Sequence, residues 1–258
     1  MRRALIFTGH PRKIILLLSY VILACFLVLL VKPPYIISIL LVLVPPSLVN
    51  FSWLKKSRWQ VLLFSLMTTL FFAPPVELVS RLADAWDVQS SFPRPFGLIP
   101  WENMLFAFLN FFWVISFYKY FVDGDGRGKI SRRFKYLMGL FVAIFTLTFI
   151  LYWIDPDMIH IPYYLLAIPI LIIPGILLII HRRQLIKKTL LPTAFFFSVF
   201  LVYELVSLKI GSWWWPGEYL YSIKLFNKPF PLDDVVIWYI LSTPVLIYGY
   251  EYFMDDDQ

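Results

Sequence analysis

Residues 14–31 read IILLLSYVILACFLVLLV, eighteen consecutive residues without a charge. About 20 apolar residues in helix cross the hydrocarbon core of a bilayer. Arg2, Arg3, Arg12 and Lys13 precede the run, which is the arrangement of a signal peptide. The apolar part is too long for that, however, and no small-x-small cleavage site follows it. It reads as a membrane anchor. Four further runs, 35–54, 59–76, 136–154 and 161–180, are equally free of charge. Segments 103–122, 189–208 and 232–253 are apolar around Lys119, Glu204 and Glu251, the last beyond its opening acids. The expected fold is therefore an all-α membrane protein with about eight transmembrane helices.

Composition leads to the same place. The 258 residues are 60% hydrophobic and 15% charged, against about 45–50% and about 25% in soluble domains. That excess excludes a secreted, cytosolic or disordered chain. Aromatic residues, at 19%, suggest a ring-lined apolar cavity. The single cysteine, Cys25, lies inside the first run, so neither a disulfide framework nor a Cys-based metal site is expected. The net charge of +7 points to nucleic acid only until the charges are placed. Seventeen of the 23 Lys and Arg residues fall in the tail before residue 14, around 55–58, at 119 and in the stretches 127–135 and 182–188. Lys32, Arg81, Arg94, Lys209, Lys224 and Lys228 hold the other face. Cationic loops mark the cytoplasmic side, so the expected location is the cell membrane with N and C termini cytoplasmic. Nucleic acid drops out as a partner, and the lipid bilayer takes its place.

An internal duplication is also visible. Glu77-Leu78-Val79-Ser80 recurs as Glu204-Leu205-Val206-Ser207, and Trp86 and Trp213 keep the same offset. Pro100-Trp101-Glu102-Asn103 answers Pro231-Leu232-Asp233-Asp234, and the run 118–123 answers 250–255. Pro34 and Pro156 each follow the first span of their half. The reading is two parallel four-helix repeats, 1–125 and 126–258. Parallel repeats are related by an axis along the membrane normal, and a substrate cleft is expected between the halves.

Acids and aromatics recur near the outer ends of the third and fourth spans of each half. Ionisable groups at membrane depth are costly and face a bundle interior or cavity. A carboxyl kept neutral in an apolar site is a proton donor. For Glu77 and Glu204 the plainer alternative is an interfacial acid bonded to a neighbouring helix. For Pro100/Glu102 and Pro231/Asp233 it is an ordinary helix start, with proline and an acid in the first turn. His10, His160 and His181 lie in or beside loops, so no haem or metal site is expected. Asp84 and Asp87 read as a solvated outer turn, and the Gly-rich stretch 124–128 as a flexible one. Prolines 45, 46, 74, 75, 169, 174, 192 and 244 should kink the spans. Trp213-Trp214-Trp215-Pro216-Gly217 reads by default as part of an interfacial aromatic belt.

At these residues the chain resembles the lycopene cyclase domain, the membrane-integral type that occurs as paired small subunits or as a tandem fusion. In the second half the resemblance runs through Tyr203-Glu204-Leu205, Trp213-Trp214-Trp215, Leu220-Tyr221, Pro231-Leu232-Asp233-Asp234 and Tyr250-Glu251-Tyr252. In the first half it spans about Tyr35 to Tyr120. Asn103 stands where a second acid is usual, and Asp233 and Asp234 stand where Glu is usual. The resemblance implies cyclisation of carotenoid end groups without nicotinamide, flavin or other cofactor, with Glu102, Asp233 and Asp234 as the family acids.

The chemistry of the residues fits that implication. A neutral carboxyl protonates a terminal double bond as general acid, ring faces stabilise the carbocation, and a second carboxylate removes a proton. Glu102, Asp233 and Asp234 are expected to move protons, with Glu204 and Glu77 orienting them. Trp101, Trp213, Trp214, Trp238 and Tyr239 are expected to line the site of a long apolar polyene. Assembly with a second copy or with other carotenoid enzymes stays open. Two other readings stand beside it: a non-catalytic carotenoid or isoprenoid binder or partner-dependent subunit, motivated by Asn103, and a proton-coupled transporter.

Overall fold

Helix is the local solution for the uncharged runs, because hydrocarbon offers no partner to a backbone N–H or C=O. The computed structural model describes residues 10–126 and 130–254, with the side chains of all but residues 163 and 234–236. Among these residues seven helices are long and apolar enough to cross a membrane. They are Pro11–Val31, Tyr35–Trp53, Arg58–Leu82, Trp101–Phe121, Phe134–Ile154, Tyr164–His181 and Arg183–Ile210, taken below as spans one to seven. The last expected crossing, 232–253, is helical as well, built from Leu232–Asp234, a π-helical stretch Val235–Ile240 and Leu241–Phe253.

Proline sets the interruptions. Span two breaks at Leu43, just before Pro45 and Pro46, and span three at Phe72, just before Pro74 and Pro75. Pro169 sits in a π-helical turn, Ile168–Ile172, whereas Pro192 is carried inside one continuous helix. Pro34 and Pro156 each follow a span, Pro11–Val31 and Phe134–Ile154. Pro34 caps the helix beginning at Tyr35, and Pro162 likewise caps the one beginning at Tyr163. Pro156 instead opens a separate short 3-10 turn.

Span four lies centrally, packed against spans two, three and seven and the last helix. It buries Trp113, Phe117, Tyr118 and Lys119 completely. Span one presents Leu17, Val21, Ala24, Cys25 and Val28, one stripe at helical spacing, and packs chiefly on span seven. Span five leans on span three and buries only Leu137. Span one thus packs on span seven, and span five on span three.

The basic loops gather at one end. Asp125 reaches the turn before span three, Lys188 lies 3.7 Å from Asp123, and the Ser131 N–H donates to the Met254 carbonyl. Lys13 bonds the Tyr120 hydroxyl and covers the ring of Trp53. The opposite, aromatic end carries two short ladders. Asp87–Val88 pairs antiparallel with Trp213–Trp214, and Ser222–Leu225 pairs with Lys228–Pro231. Gly217 is required at this end, because a Cβ there would lie 2.7 Å from the Asp84 carbonyl oxygen.

Candidate functional site

Glu77, Glu102 and Glu204 are 5%, 0% and 6% exposed, so all three lie inside the bundle at its aromatic end. Glu77 projects from the last turns of span three. One of its oxygens accepts from the Trp86 indole at 3.0 Å and the other from the Asn103 amide at 2.7 Å. Glu204 projects from the same level of span seven and accepts from the Tyr239 hydroxyl. These visible partners are neutral donors. Arg81 and Arg94 also act on Glu77 electrostatically, but both guanidinium groups are bonded to Asp87.

Glu102 and Asp233, the matched acids of the Pro-x-acid starts, hold backbone. Glu102 accepts from the Ser91 N–H at 2.6 Å and the Ser90 hydroxyl at 2.9 Å. Asp233 accepts from the Leu220 N–H at 3.0 Å. Each therefore ties the loop before its helix to the helix start. The Asp234 side chain lies outside the described residues.

Rings join the two glutamates. Trp86 stacks on Trp213 with centroids 6.4 Å apart and planes 19° from parallel, and it meets Trp238 edge-on at 6.0 Å. Trp213 meets the edges of Tyr35 at 6.1 Å and Trp215 at 6.2 Å, and is tilted on Phe106 at 6.1 Å. Phe106 stacks on Tyr203, and Tyr239 lies 6.3 Å from Phe200. Trp213, Trp238 and Tyr239 thus come together around Glu77 and Glu204. Trp214 pairs with Asp87 on the ladder. Trp101 points away, at 56% exposure. The Trp213–Trp215 run departs from a simple interfacial belt, since Trp215 is buried against Phe230. A shallow hollow elsewhere, lined by Phe145, Phe149, Ile150 and Trp153 on the outer side of span five, contains none of the candidate acids.

Two carboxylates expected in plain turns are engaged. Burial works against the Asp87 charge, but Arg81, the Val88 N–H and Arg94 more than offset it and hold its pKa below the ordinary value. Asp125 sits at φ 53 after Gly124 at φ 73. It accepts from the N–H groups of Lys55, Lys56 and Ser57 and from the Ser57 hydroxyl, at 2.6–3.0 Å. Burial again raises its pKa, and the Ser57 hydroxyl and those three N–H groups outweigh it, leaving the pKa lowered. Tyr35 and Tyr203, outside the expected set of site residues, belong to the same cluster. The Tyr203 hydroxyl meets Ser38 Oγ at 2.8 Å, and Ser38 in turn donates to the Tyr35 carbonyl. Their signal was position: Tyr35 opens span two and Tyr203 precedes Glu204.

At the basic end Lys119, fully buried, bonds Asp123. Glu251 faces the same group and interacts with Asp123, Lys119, Tyr118 and Lys188. The Lys119–Asp123 spacing of four residues, one helical turn, was legible in advance.

The chain matches no protein-family model, no curated protein and no solved structure.

Proposed function

We propose that the chain is an integral membrane protein of two parallel four-helix repeats, with both termini cytoplasmic, that cyclises the end groups of a lycopene-like carotenoid. The repeat reading is supported by contacts between residues in matching positions. Trp86 stacks on Trp213, Asp87 pairs with Trp214, and Lys119 faces Glu251. The reciprocal packing of each first helix on the opposite third helix supports it too. The gathering of the Lys- and Arg-rich loops at one end supports a cytoplasmic assignment for that end.

The observation that carries the enzymatic reading is the setting of Glu204. It is a buried carboxyl bonded to the Tyr239 phenol, whose ring lies beside Phe200, and it acts electrostatically on Tyr203 and Tyr35. A carboxyl there transfers its proton to a terminal C=C. The neighbouring double bond attacks the resulting cation to close the ring. Loss of a ring proton to a carboxylate sets the new double bond, so the reaction is an isomerisation with no net proton or electron change. Aromatic faces stabilise the cation. Glu204 and Glu77 suit the proton-handling roles, because their visible partners are neutral side chains within the ring cluster and not loop backbone. Glu102 and Asp233 take a loop-holding part instead.

That same loop-holding engagement favours a second reading, a non-catalytic isoprenoid binder. Expression in a host that accumulates lycopene, followed by pigment analysis, separates the two. Cyclic carotenoid supports the enzyme. Unchanged lycopene alongside folded protein in the membrane refutes it, and co-purifying pigment in that case identifies the binder.

A further inference from the structure

The Tyr35 side chain is fully buried, and its hydroxyl has no hydrogen-bond partner among the described residues. It lies within electrostatic reach of Tyr203, Glu204, Glu77 and Glu102, and so among acids of both halves. Trp213, against its ring, carries a buried indole N–H without a partner among the described residues, and so does Trp238, on the far side of Trp86. The Asn103 amide donates to Glu77, yet its carbonyl oxygen is buried without a donor among the described residues. Buried polar groups are nearly always satisfied, by protein or by ordered water. Four such groups share one contact cluster, three with hydrogens to give and one seeking a hydrogen, and together they suit a polar occupant.

Charge narrows its chemistry. The neighbouring glutamates oppose an anion, and the indole and phenol hydrogens oppose a cation. The occupant must also both accept and donate. We propose that Tyr35, Trp213 and Asn103 form a buried polar site that takes one neutral hydroxyl-type oxygen between Glu77 and Glu204. Its source is either a resident water or the alcohol group of a lipid-soluble ligand. A water held in such a place makes about three hydrogen bonds, which these groups supply. The inference does not depend on the cyclase reading, since it concerns only what fills the site.

The test compares Tyr35→Phe with Tyr203→Phe in the full chain, purified in detergent, by thermal unfolding. Tyr203 has a visible partner in Ser38, so its variant calibrates the loss of a satisfied hydroxyl. Tyr35→Phe is expected to lower the melting temperature as Tyr203→Phe does, by about 2–4 °C. An unchanged or raised melting temperature overturns the proposal, because deleting a truly orphaned hydroxyl is neutral or stabilising. A prenyl alcohol and the prenyl hydrocarbon of equal length then distinguish the sources. Stabilisation of the wild type by the alcohol alone, lost in Tyr35→Phe, assigns a ligand hydroxyl. No effect of either, with the Tyr35→Phe loss intact, assigns water. Should the variant fail to fold, an experimental density map decides: an oxygen-sized peak bridging Tyr35 and Trp213 supports the site, and a dry contact overturns it.

Discussion

At the basic end, Asp123 and Glu251 are met by Lys119 and Lys188. At the aromatic end, the partners seen for Glu77, Glu102 and Glu204 are an indole, an amide, hydroxyls, a backbone N–H and a phenol. Both ends bury acids, and the difference lies in what compensates them. A buried ammonium beside carboxylates couples all of these groups, because removing one partner strands the others. Neutral donors orient a carboxyl without fixing its protonation state, which proton transfer requires. The basic end therefore ties spans four and seven to the last helix, and the aromatic end is where chemistry is proposed.

Breaking that contrast at the aromatic end should have the largest effect. Glu204→Gln keeps shape and removes the proton, so cyclised product should fall at least ~100-fold while the protein still folds; pigment yield against membrane protein level measures this. At the basic end, Lys119→Met should lose about 3–5 kcal/mol of stability, the cost of leaving partners of a buried ion pair uncompensated. The double variant Lys119→Met/Glu251→Leu should recover much of that loss in thermal unfolding. An equal loss in single and double variants would break the comparison, since the two residues would then not be coupled.

Smaller effects sharpen the contrast. Glu102→Gln should cost about 0.5–1.5 kcal/mol, the net worth of an intramolecular hydrogen bond, and leave product formation intact. Loss of product with unchanged stability would return Glu102 to the catalytic role. Asp125→Asn should cost about 1–2 kcal/mol, discounted for its exposure. The pKa of Asp125 is lowered on folding, so its contribution is present above the unfolded aspartate pKa of about 4. It disappears as pH falls through the lower folded value. Unfolding curves of Asp125→Asn and the wild type should therefore converge on acidification, and a gap that stays constant with pH would contradict the clamp.

Much of this arrangement is written in the chain. The uncharged runs become helices, most of the prolines mark breaks or π-turns, and matched landmarks such as Trp86 and Trp213 meet in space. What is not legible depends on loops. That Glu102 and Asp233 bind the N–H groups of Ser91 and Leu220 requires the path of the outer loops, and neither acid's spacing carries that information. Burial is equally hard to read. Spans one and five are both uncharged, yet span one packs a full stripe while span five buries Leu137 alone, because partners, not hydropathy, decide the difference. Tyr35 was missed for a related reason: a tyrosine opening a span reads as an interfacial ring, and only the packed structure places its hydroxyl among acids.

Pigment composition of lycopene-accumulating cells expressing the wild type or Glu204→Gln, at matched amounts of membrane-inserted protein, tests the central claim most directly. Cyclic carotenoid with the wild type and lycopene with the variant is the predicted pair. Lycopene in both, or cyclic product in both, would contradict the assignment of proton chemistry to the aromatic end.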